Sequence, residues 1–146
     1  FRLSDIHAAL GISQLKKINN FIKTRNNIAA KYKKLLKDLP VKFQKINNRI
    51  KSSFHLFIIK FVHKGNIKNY SKIFSYLRNK KIGVNLHYLP VHLHPLYKNM
   101  NLKFDYLKKS EEYSKAALSL PIYVGLKTRD QVHVIKNLKI ALRKYK

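Results

Sequence analysis

Between Gly83 and Tyr97 the sequence reads GVNLHYLPVHLHPLY, which places three of the chain's seven histidines beside two prolines and two tyrosines. Imidazole and phenol groups at this density can bind a metal, move a proton or hold an anionic ligand. His92 and His94 are one residue apart, so an extended backbone points both to one side, where they could chelate a metal with His87 as third ligand. Against that, the stretch holds no carboxylate or cysteine, and ligating imidazoles usually need an acceptor behind them. A Ser-His-Asp hydrolase finds no support, because no Gly-x-Ser-x-Gly elbow occurs in the sequence. Two readings stay open: a proline-stiffened loop whose rings merely pack, or a loop that faces a ligand. In the second, His87 and Tyr88 end a strand, Pro90 and Pro95 stiffen the exit, and the side chains offer donors to phosphate or hydroxyl groups. Asn85, two residues before His87, shares its strand face.

Periodicity and punctuation predict the elements that must hold this stretch. Ser4 is a candidate N-cap, with Asp5 in the first turn. Apolar residues then recur at Ile6, Leu10, Leu15, Ile18, Ile22, Ile28, Tyr32 and Leu36, predicting helix to about Leu39, where Pro40 stops it. Gly11 or the Asn19-Asn20 pair could break it in two. FHLFIIKF, residues 54–61, is short and rich in aromatic and β-branched side chains, as a buried strand is. Asn66 can cap a second helix carrying Ile67, Tyr70, Ile73 and Leu77 and ending near Lys81. Gly83 opens a second strand over 84–88, and residues 105–118 predict a third helix. SLPIYVGL is extended, and Thr128-x-x-Gln131 is a capping box for a last helix on Val132, Ile135, Leu138 and Leu142. The expected fold is α/β: a long helical segment plus further helices packed on a short, mainly antiparallel sheet. Leu10, Leu15, Phe57, Ile59, Leu77 and Leu120 are expected in its core.

Composition narrows the classes. A chain of 146 residues, 45% hydrophobic, suits one domain with a real core. No cysteine means no disulfide and no thiolate chemistry, so a reducing, cytoplasmic setting is expected. No apolar run approaches the roughly 18 residues of a membrane span. The chain starts at Phe1 and its single methionine is Met100, so either the start is processed or this is a piece of something longer. The formal charge of +26 invites a nucleic-acid reading. Yet 26 of the 32 basic residues are lysines, scattered in ones and twos on the polar sides of helical patterns, as on solvated faces. No arginine-rich arm, zinc finger or aromatic RNA-binding motif accompanies them. A basic nucleic-acid-binding domain remains an alternative only if the lysines gather on one face.

Four stretches, in order, resemble a known family: FRLSDIHAALGISQLKKINNFIKTRNNIAAKYKKLL, SSFHLFIIKF, GVNLHYLPVHLHPLY and LSLPIYVGL. The chain resembles, over essentially its whole length, the C-terminal part of the DegT/DnrJ/EryC1/StrS family of sugar-nucleotide aminotransferases that depend on pyridoxal 5'-phosphate. The phrase around His87 is most similar to the branch that aminates a 4-keto sugar nucleotide in pseudaminic acid synthesis. The resemblance implies the small C-terminal domain of a fold-type I transferase over residues 1–146, with the domain bearing the cofactor's lysine absent from this chain. It implies a nucleotide-sugar substrate, glutamate as amino donor and a homodimer, with no membrane and no specific nucleic acid as partner. It also implies that the chain alone is inactive, since no lysine here matches the Schiff-base motif. No residue is therefore carried over as catalytic. A noncatalytic scaffold or sensor domain descended from the family is the other alternative.

By resemblance, His87 matches a histidine near the substrate's phosphate or sugar, with Tyr88 beside it on the cleft wall and Asn85 sharing its face. Arg2 matches the arginine that follows an asparagine reaching a neighbouring subunit's cofactor phosphate, a position that precedes Phe1. His92 is a further substrate-side candidate, whereas Tyr97 reads as packing. An apolar first helix is expected to lie exposed where a partner is missing.

Overall fold

The computed structural model describes residues 2–100 and 107–146. Two helices open it, α1 (Asp5–Leu15) and α2 (Ile18–Leu36). Ser4 caps α1 as its sequence implies, its extended backbone aiming the side-chain oxygen at the amide of His7. The break falls at Lys16–Lys17 rather than at Gly11 or the asparagine pair. There the Lys17 amide turns back to the Gln14 carbonyl, 3.0 Å away, and closes α1 in a tight three-residue turn. Leu10 and Leu15 correct the sequence expectation: they are 57% and 64% exposed, and α1 buries none of its residues. None of its side chains is buried among the described residues, so its periodicity has no core to pack on. Its apolar residues do stand exposed, as expected for a face that lacks its cover. In α2 the stripe Ile28, Ala29, Tyr32 and Leu36 is buried.

Among the described residues four strands form one antiparallel sheet in the order β1-β2-β4-β3: β1 (Val41–Phe43), β2 (Phe57–Phe61), β3 (Asn85–Leu86) and β4 (Ala117–Leu120). In β2, Phe57, Ile59 and Phe61 are buried while Ile58 and Lys60 are half-buried, the period of two that a pleated strand requires. It begins three residues later than its composition suggests. Phe54 sits at φ 45°, and the Arg25 guanidinium donates to the carbonyls of Phe54 and His55 at 3.1 and 3.0 Å, which holds the entry out of the sheet. The segment 105–118 also differs from its expected helix. Helix α6 covers Lys108–Ser114, and residues 117–120 are instead β4, an inner strand buried along its length. Residues 105–106 lie outside the described residues.

Two short helices replace the single one expected after β2: α3 (Lys64–Lys68) and α4 (Tyr70–Asn79). The first is capped by His63, whose Nδ1 accepts from the Gly65 amide at 3.2 Å, not by Asn66. Asn66 lies inside α3, fully buried, and donates to the carbonyls of Leu142 and Tyr145 at 2.9 and 3.0 Å. It thus ties down the end of α7 (Thr128–Lys144). The expected capping box does not form, because Lys127 is the N-cap and Thr128 the first helical residue. Gln131 is buried and donates to the Ile28 carbonyl at 2.8 Å, joining α7 to α2.

One apolar cluster unites these elements. Tyr32 and Leu36 of α2, Phe57 and Ile59 of β2, Leu118 and Leu120 of β4, Ile73 and Leu77 of α4, and Leu138 of α7 all belong to it. Phe57, Ile59, Leu77 and Leu120 therefore occupy the core as expected. Tyr32 stacks on Phe57 with ring centroids 5.0 Å apart, and its hydroxyl donates to the Pro121 carbonyl at 3.0 Å. Tyr70 donates likewise to Ala117 at 2.6 Å, and burial pushes its phenol up to about 12.

Candidate functional site

β3 is an edge strand of two residues, and the histidine-rich stretch begins where it ends. Asn85 and Leu86 pair with Ser119 and Leu118 of β4, and both remain exposed. Pairing stops there, so the strand alternation expected to run through 88 is lost. His87 does not follow Asn85 outward: it is 5% exposed, whereas Tyr88 is 70% exposed. The two rings lie against each other, centroids 4.8 Å apart at 57°. His87 Nε2 is buried, and among the described residues it has no hydrogen-bond partner. Leaving such a nitrogen unmade costs roughly 1–3 kcal/mol, which marks the position.

Burial also lowers the His87 pKa, because desolvation disfavours the imidazolium. An imidazolium facing a diphosphate is therefore not what this fold prepares; a neutral ring is. The unfolded chain takes the proton first as pH falls, so the stability tied to His87 is complete above about 6.5. It declines as pH drops from there through the lowered value in the folded state. Urea midpoints measured from pH 8 to 5 should fall less steeply for His87→Gln than for the wild type; parallel curves would refute this.

Pro90 is buried and starts a 3-10 turn over Val91–Leu93, and Pro95 opens the short helix α5 (Pro95–Lys98). This turn separates the two histidines that an extended chain would align. His92 is buried and its Nε2 lies 3.1 Å from Glu111 Oε1 on α6, while His94 is exposed. Glu111 is the acceptor that the stretch itself lacks, supplied from nineteen residues away. Among the described residues no group of three or more potential ligands could hold a metal ion, so the three histidines form no chelate. Arg2 is exposed ahead of α1, and Tyr97 is partly exposed on α5, so neither joins His87 in a closed site.

A roomy cleft lies elsewhere, at the end of the sheet where β3 begins and β4 stops. It has a volume of about 620 Å³ and is lined by Lys81, Gly83, Tyr123, Asp130 and His133 among others. His133 Nε2 is committed to the Lys80 carbonyl at 3.1 Å. Sequence reasoning missed this cleft, because its walls come from two stretches far apart in the chain, 80–83 and 121–134, with no shared motif.

The family model of the DegT/DnrJ/EryC1/StrS aminotransferases matches residues 1–139. The chain belongs to that family. Among curated relatives in it, the Campylobacter jejuni (serotype O:2) UDP-4-amino-4,6-dideoxy-N-acetyl-beta-L-altrosamine transaminase is 33% identical over 147 residues, covering 100% of this chain and 39% of the relative. The Bacillus subtilis spore coat polysaccharide biosynthesis protein SpsC is 29% identical, over 92% of this chain and 36% of its own length. Of solved structures, Helicobacter pylori PseC, an aminotransferase involved in the biosynthesis of pseudoaminic acid, superposes with a TM-score of 0.87 at 28% identity. That match covers 99% of this chain and 39% of PseC. The chain thus spans less than two-fifths of the relatives it matches. It has the family's mixed helix and antiparallel-sheet fold, and among the described residues no helix is long and apolar enough to cross a membrane.

Proposed function

We propose that residues 1–146 are the C-terminal small domain of a pyridoxal-phosphate-dependent aminotransferase, and that the His87 loop forms part of its substrate wall. The whole enzyme moves an amino group from glutamate to a 4-keto-6-deoxy UDP-sugar, in cytoplasmic biosynthesis of a surface glycan of the pseudaminic acid type, and works as a homodimer. The family match supports the reaction class, and the orphaned Nε2 of His87 is the observation that carries the site. The residues of this chain do not by themselves fit the cofactor. Among the described residues no lysine is buried, so none has the desolvated setting that makes an ammonium a ready Schiff-base nucleophile. On this reading the chain alone is inactive, and no catalytic residue is assigned to it.

His87 serves as a neutral hydrogen-bonding group toward the sugar nucleotide, with the exposed Tyr88 ring lying against it. Tyr88 walls the cleft, and Asn85 offers its amide from the exposed edge of the sheet. Arg2 contributes a cation from the segment before α1. His92, clamped to Glu111, holds the loop in place rather than touching substrate. The apolar α1 lies against the rest of the enzyme.

In the full-length enzyme, His87→Ala should weaken UDP-sugar binding about 3- to 10-fold, the loss of one neutral hydrogen bond. The absorbance of the bound cofactor should stay unchanged. Calorimetric titration with the nucleotide sugar checks this, and unchanged affinity removes His87 from the site. Absence of cofactor absorbance and of amino transfer in the full-length wild type would instead favour the noncatalytic scaffold.

A further inference from the structure

We propose that the groove between α2 and α7 docks an acidic amphipathic helix of a partner protein. Its volume is about 480 Å³. Leu35 of α2 and Val132 and Ile140 of α7 give it an apolar floor, and all three are exposed. Lys136, Lys139 and Arg143 form its rim, and among the described residues no carboxylate lines it. On α7 these positions recur at spacings of three and four, so they make one continuous stripe along the helix. From Val132 to Arg143 the stripe runs about 16 Å at 1.5 Å per residue, the length of three helical turns. A docked helix reads such a floor with apolar side chains at i, i+3, i+4 and i+7.

Charge selects the occupant. With 32 basic and six acidic residues, a second copy of this chain would set like charge against the cationic rim. A carboxylate-bearing helix meets both requirements, its leucines or isoleucines on the floor and its acids against the rim. A bilayer surface presents anions too, but it is flat, whereas the apolar residues here line a concavity between two helices. The opposite face of α7 is consumed by the core, through Val134, Leu138, Ala141 and Leu142, and buried Ile135 lies between the two faces at the inner edge of the groove, so the exposed stripe serves no packing purpose inside the domain.

Binding to the full-length polypeptide tests the proposal, with a fluorescein-labelled 18-residue peptide of leucine, alanine and glutamate as probe. One version carries its leucines on a single helical face; a second has the same composition with the leucines dispersed. Fluorescence anisotropy should show the ordered peptide binding about 10-fold or more tightly than the dispersed one at matched salt. Ile140→Glu should abolish that difference, and the double variant Lys136→Glu with Lys139→Glu should do the same with the floor intact. Because all three positions lie outside the core, circular dichroism of the variants should match the wild type. Equal affinity for the two peptides would show only the pull of a +26 chain on polyanions and overturn the proposal. Binding to phosphatidylglycerol vesicles that Ile140→Glu abolishes, with no preference between peptides, would overturn it in favour of a membrane surface.

Discussion

Leu77→Ala should lower the unfolding free energy by about 2–5 kcal/mol, while Leu10→Ala should change it by no more than about 0.5 kcal/mol. Both leucines occupy helical apolar stripes, so the sequence alone treats them alike. Leu77 has no exposed surface and sits in the cluster with Leu138 and Leu120, where truncation leaves a cavity that neighbouring rings cannot fill. Leu10 stands in solvent on α1. Against a total stability of roughly 5–15 kcal/mol for a domain of this size, the first change removes a large fraction and the second almost nothing. Urea titration of the two variants checks the contrast; equal losses would mean that α1 belongs to the core.

Replacing Asn66 should rank beside the core truncations although it deletes only polar atoms. Its amide is the donor for two carbonyls at the end of α7, those of Leu142 and Tyr145. Asn66→Ala strands both acceptors at roughly 1–3 kcal/mol each, for a loss of about 2–6 kcal/mol. Asn66→Asp should be worse near neutral pH, because a buried carboxylate would face two carbonyl oxygens in place of donating to them. Hydrogen exchange locates the effect: amides in the last two turns of α7 should lose protection before those of β2 do. Uniform loss across the domain would mean that α3 and α7 open together with the sheet.

The contrast between Leu77 and Leu10 also explains what could be read in advance. Where one face of an element meets the core, periodicity carries the information, and β2, α4 and α7 stand close to their expected places. In β4 that signal vanishes, because an inner strand covered on both faces shows neither a period of two nor one of 3.6. Ala117 and Leu118 therefore continued a helical pattern that the chain abandons at Ser114. β1 escaped notice at three residues, too short for alternation to show. In the site, the loop and its proline brackets were legible, but the direction of His87 was not. Its orientation depends on β3 ending at Leu86, a long-range pairing with β4, and the acceptor for His92 comes from another helix. Thr128 failed as a cap for a similar reason, since Gln131 is drawn to the Ile28 carbonyl by packing that no local pattern encodes.

The turn at Lys16–Lys17 makes α1 a lever rather than a wall. The helix has its own cap and its own backbone hydrogen bonds, yet it shares no buried residue with the domain behind it. Its direction is therefore not fixed by the core, and a displacement of it travels toward the sheet along the helix that follows it. The route is α2, whose Arg25 grips the entrance to β2 and whose Ile28 carbonyl receives Gln131 of α7. A tilt of α1 would thus be felt first at the entrance to β2 and at α7, and only then at the loop beyond β3.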